Sequence, residues 1–271
     1  MKGIGASVQT EEFDAFLAEV LPPIGLSPAA HRRRNLKRRI IRRMETYGIH
    51  EFHRYADMVR REPGELEALR SILVVTISRF FRNAWVFRFV SSEILPILAG
   101  KDRPVVWSAG CAAGEEPYSV RMAWEEMQGE KPELALFATD VDPVSLERAR
   151  EGSYPESSLR ELPAAWRSRF FRREGNLYRI CEPIRRSVRF RAQDLLRDPF
   201  PARSDLILCR NAAFTYFGPE KRLAVAGTFA EALREGGYLV IGRTEDLPRE
   251  TADLFEPVFP AGKIYRRRPA R

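Results

Sequence analysis

The stretch from Val105 to Asp142 constrains the fold of this chain more than any other. An apolar run, Val105 to Trp107, enters a turn of small residues that carries Gly110 and Gly114. The turn opens into a segment with Val120, Ala123, Trp124 and Met127 on one helical face. A second apolar run, Leu134 to Ala138, ends on Asp140 and Asp142. Strand, glycine loop, helix and strand make a βαβ unit. Such a unit holds nucleoside cofactors, because glycine lets the backbone approach the ligand and a carboxylate at the second strand tip takes the ribose hydroxyls.

Charge narrows the cofactor. A dinucleotide site lays its pyrophosphate on the N-terminus of the helix that follows the glycine loop. Here that helix begins with Glu115 and Glu116, and two carboxylates there repel a diphosphate at close range. They favour a ligand that is cationic at that point, and S-adenosylmethionine carries both an ammonium and a sulfonium. The plainer role of Glu115 is to complement the positive end of the helix dipole. Its combination with Asp140 at a strand tip favours the methyl donor.

The remaining sequence sets this unit in a two-domain frame. With 271 residues, 44% hydrophobic and 30% charged, the chain has enough apolar surface for one large core or two without staples. Cys111, Cys181 and Cys209 are too few and too widely spaced for a disulfide framework or a zinc cluster, so no metal site is expected and a reducing compartment suits them. All three histidines, His31, His50 and His53, precede the glycine loop, which argues against a histidine-based metal or triad site there. No apolar run reaches the roughly 18 residues of a membrane span, and the N-terminus lacks a signal-peptide core. A soluble cytoplasmic protein without membrane insertion is expected. The net charge of +8 belongs to the ends: residues 1–89 hold 16 Lys and Arg against 10 Asp and Glu, and residues 263–271 hold five cations and no acid.

Residues 1–89 read as a helical N-terminal domain and linker helix, and residues 90–271 as the α/β domain. Phe13, Phe16, Leu17 and Val20 form an amphipathic pattern closed by Pro22 and Pro23. A helix from Ser27 and Pro28 to Tyr47 carries the stripe Leu36, Ile40, Met44 and Tyr47, while eight of the twelve residues from Arg32 to Arg43 are basic. That run is either a solvated face or a docking surface for an acidic partner. It lacks interleaved aromatic residues, which disfavours nucleic acid. Further helices are expected at 51–61 and 64–75. The apolar segment from Thr76 to about Leu98 reads as a core helix joining the domains, with Arg79 and Arg82 snorkelling.

In the α/β domain, Asp142 and Pro143 open a helix to Glu151, and short helices follow within 156–173. Strands at 176–182 and 186–191 can pair as a small hairpin, a β subdomain at about 174–191. Ser204 to Asn211 reads as a buried strand. Pro219 to Arg234 is a helix stopped by Gly236 and Gly237, Tyr238 to Gly242 is a strand, and residues 255–265 supply a last pair.

Five segments, TISRFFR (76–82), WSAGCAAGEEPYSV (107–120), ATDVDPVSLERAREGSYP (138–155), LILCRN (206–211) and REGGYLVIG (234–242), resemble in order and spacing the CheR family of chemotaxis receptor methyltransferases, which are protein-glutamate O-methyltransferases. The likeness runs from about Phe13 to Tyr265. It implies a class I, Rossmann-like methyltransferase fold: a mostly parallel seven-stranded sheet preceded by a small all-helical domain. It implies S-adenosyl-L-methionine as cofactor and S-adenosyl-L-homocysteine as product.

By the same resemblance, Ser78 and Arg82 face the cofactor from the linker, and Arg82 pairs with the methionine carboxylate, where its fork geometry is useful. Thr76 stands where relatives often carry Asn. Gly110 belongs to the loop, Glu115 to the methionine end and Asp140 to the ribose. Asp194 and Leu195 lie beside the adenine, and Cys209 and Arg210 at the strand end that lines the cofactor. Arg82 and Tyr216 take the catalytic roles, Arg82 anchoring the donor and Tyr216 orienting the acceptor. One departure stands out: relatives have a tyrosine where this chain has Thr215, and Tyr216 comes one residue late. Either a bulge absorbs the extra residue, as we expect, or the acceptor pocket has changed. The usual H-S-E after the late glycine strand is Arg243, Thr244 and Glu245.

The partner that the resemblance implies is an acidic protein helix, such as a chemoreceptor methylation segment, met by a monomer. Two alternatives stay open at this point: a methyltransferase of another acceptor, whether a small molecule or another protein side chain, and a non-catalytic signalling adaptor that only binds S-adenosylmethionine.

Overall fold

The computed structural model describes residues 4–31, 34–73 and 78–269. They form two compact units, Met1–Val75 with Tyr216–Lys221, and Thr76–Thr215 with Arg222–Arg271. The sequence reading ends the helical domain at residue 89, whereas the packing places Ser78 to Phe89 with the α/β unit.

The first unit is built on helices Ile4–Val20, Arg34–Glu45, Phe52–Arg61 and Pro63–Leu73. Phe13, Phe16, Leu17 and Val20 recur at helical spacing and are buried, with the Phe13 and Phe16 rings against Phe52. The basic helix buries Leu36, Ile40 and Met44 and exposes Arg38, Arg39 and Arg42. Arg43 is used internally: its guanidinium donates to both oxygens of the buried Glu65 at 3.0 and 2.7 Å. Tyr47 and Tyr55 hydroxyls donate to the same carboxylate at 2.9 and 2.5 Å. Arg43 holds the Glu65 carboxyl below its usual range against the opposing effect of burial. Residues 216–221 join this unit through the Ser27 N–H, which donates to the Tyr216 carbonyl at 2.7 Å.

The second unit holds two sheets. The large one comprises β1 (Val105–Ala109), β2 (Ala135–Asp140), β6 (Val188–Ala192), β7 (Ser204–Cys209), β8 (Leu233–Ile241), β9 (Phe255–Phe259) and β10 (Ile264–Arg267). Their order is β6-β2-β1-β7-β8-β10-β9. The first five run parallel, and β10 pairs antiparallel with β8 and β9. Every residue of β1 and β7 is buried, as a parallel strand covered on both faces requires. Strand order reverses at β1, which has β2 on one side and β7 on the other. Open sheets bind ligands in the crevice at such a switch point, at the carboxyl ends of the strands. Among the described residues no helix is long and apolar enough to cross a membrane.

The small sheet differs from the expected hairpin. It comprises β3 (Ser153–Pro155), β4 (Phe171–Glu174) and β5 (Leu177–Ile180), in the order β3-β5-β4. The tight turn sits at Gly175, whose φ of 61° is the left-handed conformation that a two-residue hairpin needs. Strand β5 therefore pairs backwards with β4. The helix Glu182–Arg186 lies between β5 and β6, so β6 returns parallel to β2 at the edge of the large sheet. Gly236 and Gly237 likewise lie inside β8, after a helix that already ends at Ala232, and they accompany a register shift against β7.

At the opposite ends of the strands, Asp205 is a buried tie. Its carboxylate accepts from the Val105 N–H at 2.9 Å and from Arg234 at 2.6 Å, and it pairs with Lys101 at 2.9 Å. Asp205→Ala strands a buried amide and frees two cations, so urea unfolding is expected to show a loss of roughly 3 kcal/mol.

Candidate active site

The crevice is built first from backbone. Strand β1 ends in Gly110, Cys111, Ala112, Ala113 and Gly114, with φ of 77° at Gly110, 48° at Ala112 and 90° at Gly114. The N–H groups of Gly110 and Cys111 donate to the Thr139 carbonyl at 2.8 and 2.9 Å. A Cβ on Gly110 would lie 2.6 Å from that of Ala212, so only glycine allows the loops after β1 and β7 to approach this closely. Asp140 locks the loop from β2. Its Oδ2 accepts from the Ala112 N–H at 2.8 Å and its Oδ1 from the Asp142 N–H at 3.0 Å. Each carboxylate oxygen retains a lone pair for a further donor. Burial raises the Asp140 carboxyl above its usual range, opposed by those amides. Asp142 caps the next helix as its sequence implies, accepting from Val144 N–H and Ser145 N–H.

The two glutamates after the loop divide the work. Glu115 is 3% exposed, and its Oε2 meets no hydrogen-bond partner among the described residues. Burial pushes its carboxyl up to about 7. Glu116 faces a small cavity that is also lined by Ser78, Arg82, Gly110, Cys111 and Arg210. Its Oε1 accepts from Ser108 Oγ at 2.7 Å, and its Oε2 lies 3.5 Å from the Arg210 guanidinium. Sequence reasoning singled out Glu115 and left Glu116 unassigned. The signal for Glu116 is its buried cation partner, Arg210, which stands 94 positions away in the sequence.

The expected linker helix begins only at Ala84. Before it, Ser78 to Asn83 form an irregular loop with φ of 54° at Phe81 and 63° at Asn83. Arg82 is exposed on this loop and lines the cavity rather than snorkelling from a helix. Thr76 lies outside the described residues. Asp194 makes a local turn, its Oδ1 accepting from the Leu196 N–H at 2.9 Å. The Gln193 N–H donates to the Asp140 carbonyl at 3.0 Å, which sets Asp194 and Leu195 close behind the end of β2. Cys209 is fully buried, and burial raises its thiol well above the usual range.

The segment after Arg210 is not an extended bulge. Ala213–Tyr216 form one helical turn, in which successive side chains rotate by about 100° rather than alternating. Thr215 turns inward and donates its hydroxyl to Glu245 Oε1. Glu245 is another group to which the sequence reading gave no role. It is 3% exposed, and its Oε2 also accepts from the N–H groups of Asn211 at 2.9 Å and Gly242 at 2.5 Å. Tyr216 belongs to the helical unit.

These features fit S-adenosylmethionine. Three carboxylates surround the loop, one with a buried oxygen lacking a partner, and they suit a ligand that brings an ammonium group. Asp140 offers two acceptor oxygens, as vicinal ribose hydroxyls require. Comparison with known proteins agrees. The model of the CheR methyltransferase SAM binding domain matches residues 76–261, and that of the CheR methyltransferase all-alpha domain matches residues 11–73. A chemotaxis protein methyltransferase of Listeria monocytogenes is 34% identical over 234 residues, covering 86% of this chain and 88% of that protein. One of Klebsiella aerogenes is 31% identical over 245 residues, covering 85% and 81%. A 104.1 kDa protein of Rhodobacter capsulatus is 34% identical over 226 residues, covering 81% of this chain but 24% of the longer protein. With both of its domains matched in order and its loop carboxylates suited to the cationic cofactor, the chain belongs to the CheR methyltransferase family and is an S-adenosylmethionine-dependent methyltransferase.

Proposed function

We propose that this enzyme methylates glutamate carboxylates on an acidic helical segment of a chemoreceptor-type protein. The observation that carries this reading is the match over both domains to proteins named chemotaxis protein methyltransferases. The chemistry agrees. When bound, S-adenosylmethionine supplies a methyl group on a positively charged sulfur. A glutamate acceptor, with a reference pKa of about 4.3, is already ionised near neutral pH and needs no general base. No histidine follows residue 53 in this chain, in keeping with that requirement. The enzyme's contribution is then placement of the acceptor oxygen in line with the methyl carbon. Arg82 anchors the amino-acid end of the donor, Asp140 holds its ribose, Asp194 and Leu195 flank its adenine, and Tyr216 orients the acceptor. The exposed Arg38, Arg39 and Arg42 steer the acidic segment. We read the enzyme as a cytoplasmic monomer.

Transfer of labelled methyl from S-adenosylmethionine to a chemoreceptor cytoplasmic fragment tests this reading. A base-labile methyl ester that releases methanol is expected. A base-stable product would reassign the acceptor, and cofactor binding without any transfer would make the chain an adaptor. The late tyrosine gives a separate expectation. Tyr216→Phe should lower kcat by on the order of 100-fold with cofactor binding intact, the loss that misplacing a reactant brings. Thr215→Val instead leaves Glu245 Oε1 without its donor and should cost about 1–2 kcal/mol in thermal unfolding.

A further inference from the structure

Arg82 sits between two residues whose backbone is strained. Phe81 and Asn83 both adopt positive φ without being glycine, a conformation that costs of order 1 kcal/mol or more and persists only when surroundings impose it. On one side the Phe81 N–H donates to Ser119 Oγ at 2.9 Å, and the Phe81 ring packs on Phe87 and Trp166. On the other side Arg210 Nη2 donates to the Arg82 carbonyl at 2.9 Å and to Asn83 Oδ1 at 2.8 Å. The Arg210 side chain is 3% exposed, lies over the Phe87 ring and faces Glu116, which Ser108 holds in turn. A line of polar contacts thus runs from β1 through Glu116 and Arg210 to the backbone at Arg82.

We propose that Glu116 and Arg210 are positioning residues that fix the backbone at Arg82, so that Arg210 governs cofactor affinity through Arg82 and not through a contact of its own. The inference rests on the reading of Arg82 as the residue that pairs with the cofactor's carboxylate. Both N–H groups of Arg210 Nη2 have protein acceptors, Nη1 faces Glu116 and Nε is buried without a partner, whereas the Arg82 guanidinium is exposed and has no ion-pair partner among the described residues. Burying an ion pair rarely adds much net stability. Its use here is to preorganise a neighbouring exposed arginine before the ligand arrives.

A double-mutant cycle separates this role from a direct one. Calorimetric titration with S-adenosylhomocysteine is carried out on wild type, Arg82→Ala, Arg210→Met, Glu116→Gln and the double variant Arg82→Ala/Arg210→Met, with thermal melts recorded alongside. Arg210→Met is expected to weaken binding at least tenfold and Glu116→Gln several-fold. The double variant is expected to bind as weakly as Arg82→Ala alone. An equal weakening by Arg210→Met in both backgrounds, or none in either, overturns the proposal while leaving Arg82 in its assigned role. Undiminished binding by Arg82→Ala is a distinct result that removes that assignment and the proposal together. If Arg210→Met does not fold, Arg210→Lys keeps the charge and loses the fork. It carries the same cycle, with an intermediate loss expected.

Discussion

Asp140→Ala is expected to weaken S-adenosylhomocysteine binding by about two orders of magnitude. The carboxylate accepts from the Ala112 and Asp142 amides, which shapes the glycine loop, and in the proposed complex its remaining lone pairs accept from the ribose hydroxyls. Hydrogen bonds to a charged group contribute about 1.5–3 kcal/mol each, and every 1.4 kcal/mol is a factor of ten. Losing the ribose contacts alone accounts for the expected change, and the loosened loop adds to it. Asp140→Asn should do nearly as badly, because one of its two terminal atoms becomes a donor that faces an amide N–H. Titration calorimetry of both variants measures the effect, and a loss below threefold for Asp140→Ala would mean that the ribose is held elsewhere.

Glu115→Gln is expected to move stability and binding in opposite directions. Burial holds the Glu115 carboxyl at about 7, against an ordinary value of 4.5. In the folded apoprotein the proton is therefore retained over a range in which the unfolded chain has lost it. The folded state binds more protons between pH 4.5 and 7, so stability declines as pH rises through that window. Above pH 7 the full penalty of a buried charge is present, roughly 3 kcal/mol from the size of the shift. Glutamine keeps the shape without the charge, so the variant should be more stable than wild type by up to that amount at pH 8 and nearly equal to it at pH 4.5. It should also bind S-adenosylhomocysteine more weakly, because the ammonium loses its counter-charge. Wild-type binding near pH 7 should release a proton, seen as a buffer-dependent heat, and the variant should release none.

The parts of this fold that could be read from sequence are those set by local rules. Val105 to Asp142 carries its own strand, loop and helix, Asp142 and Pro143 announce a capped helix, and Asp140 stands where the second strand stops. Structure decided by distant partners was not legible. The loop at Phe81 to Asn83 has the apolar pattern of a helix, but Ser119 and Arg210, far along the chain, hold it in another conformation. Strand β6 looked like half of a hairpin because Val188 and Phe190 alternate with arginines. Its neighbour β5 had already found β4 across the turn at Gly175. Of the candidate site residues, Ser78, Arg82, Gly110 and Arg210 line one cavity, whereas the thiol of Cys209 is shut inside the sheet. Glu116 and Glu245 could be seen in the sequence but given no role of their own, because a buried carboxylate declares its role only by its partners, and those lie on other loops.

The most direct test of the cofactor site is a crystal structure of the enzyme with S-adenosylhomocysteine. The ribose hydroxyls are predicted to lie within hydrogen-bond distance of the Asp140 carboxylate, with the amino-acid end between Arg82 and Glu115. A ligand bound away from the loop between Gly110 and Gly114, or one whose amino-acid end meets neither Arg82 nor Glu115, would contradict it.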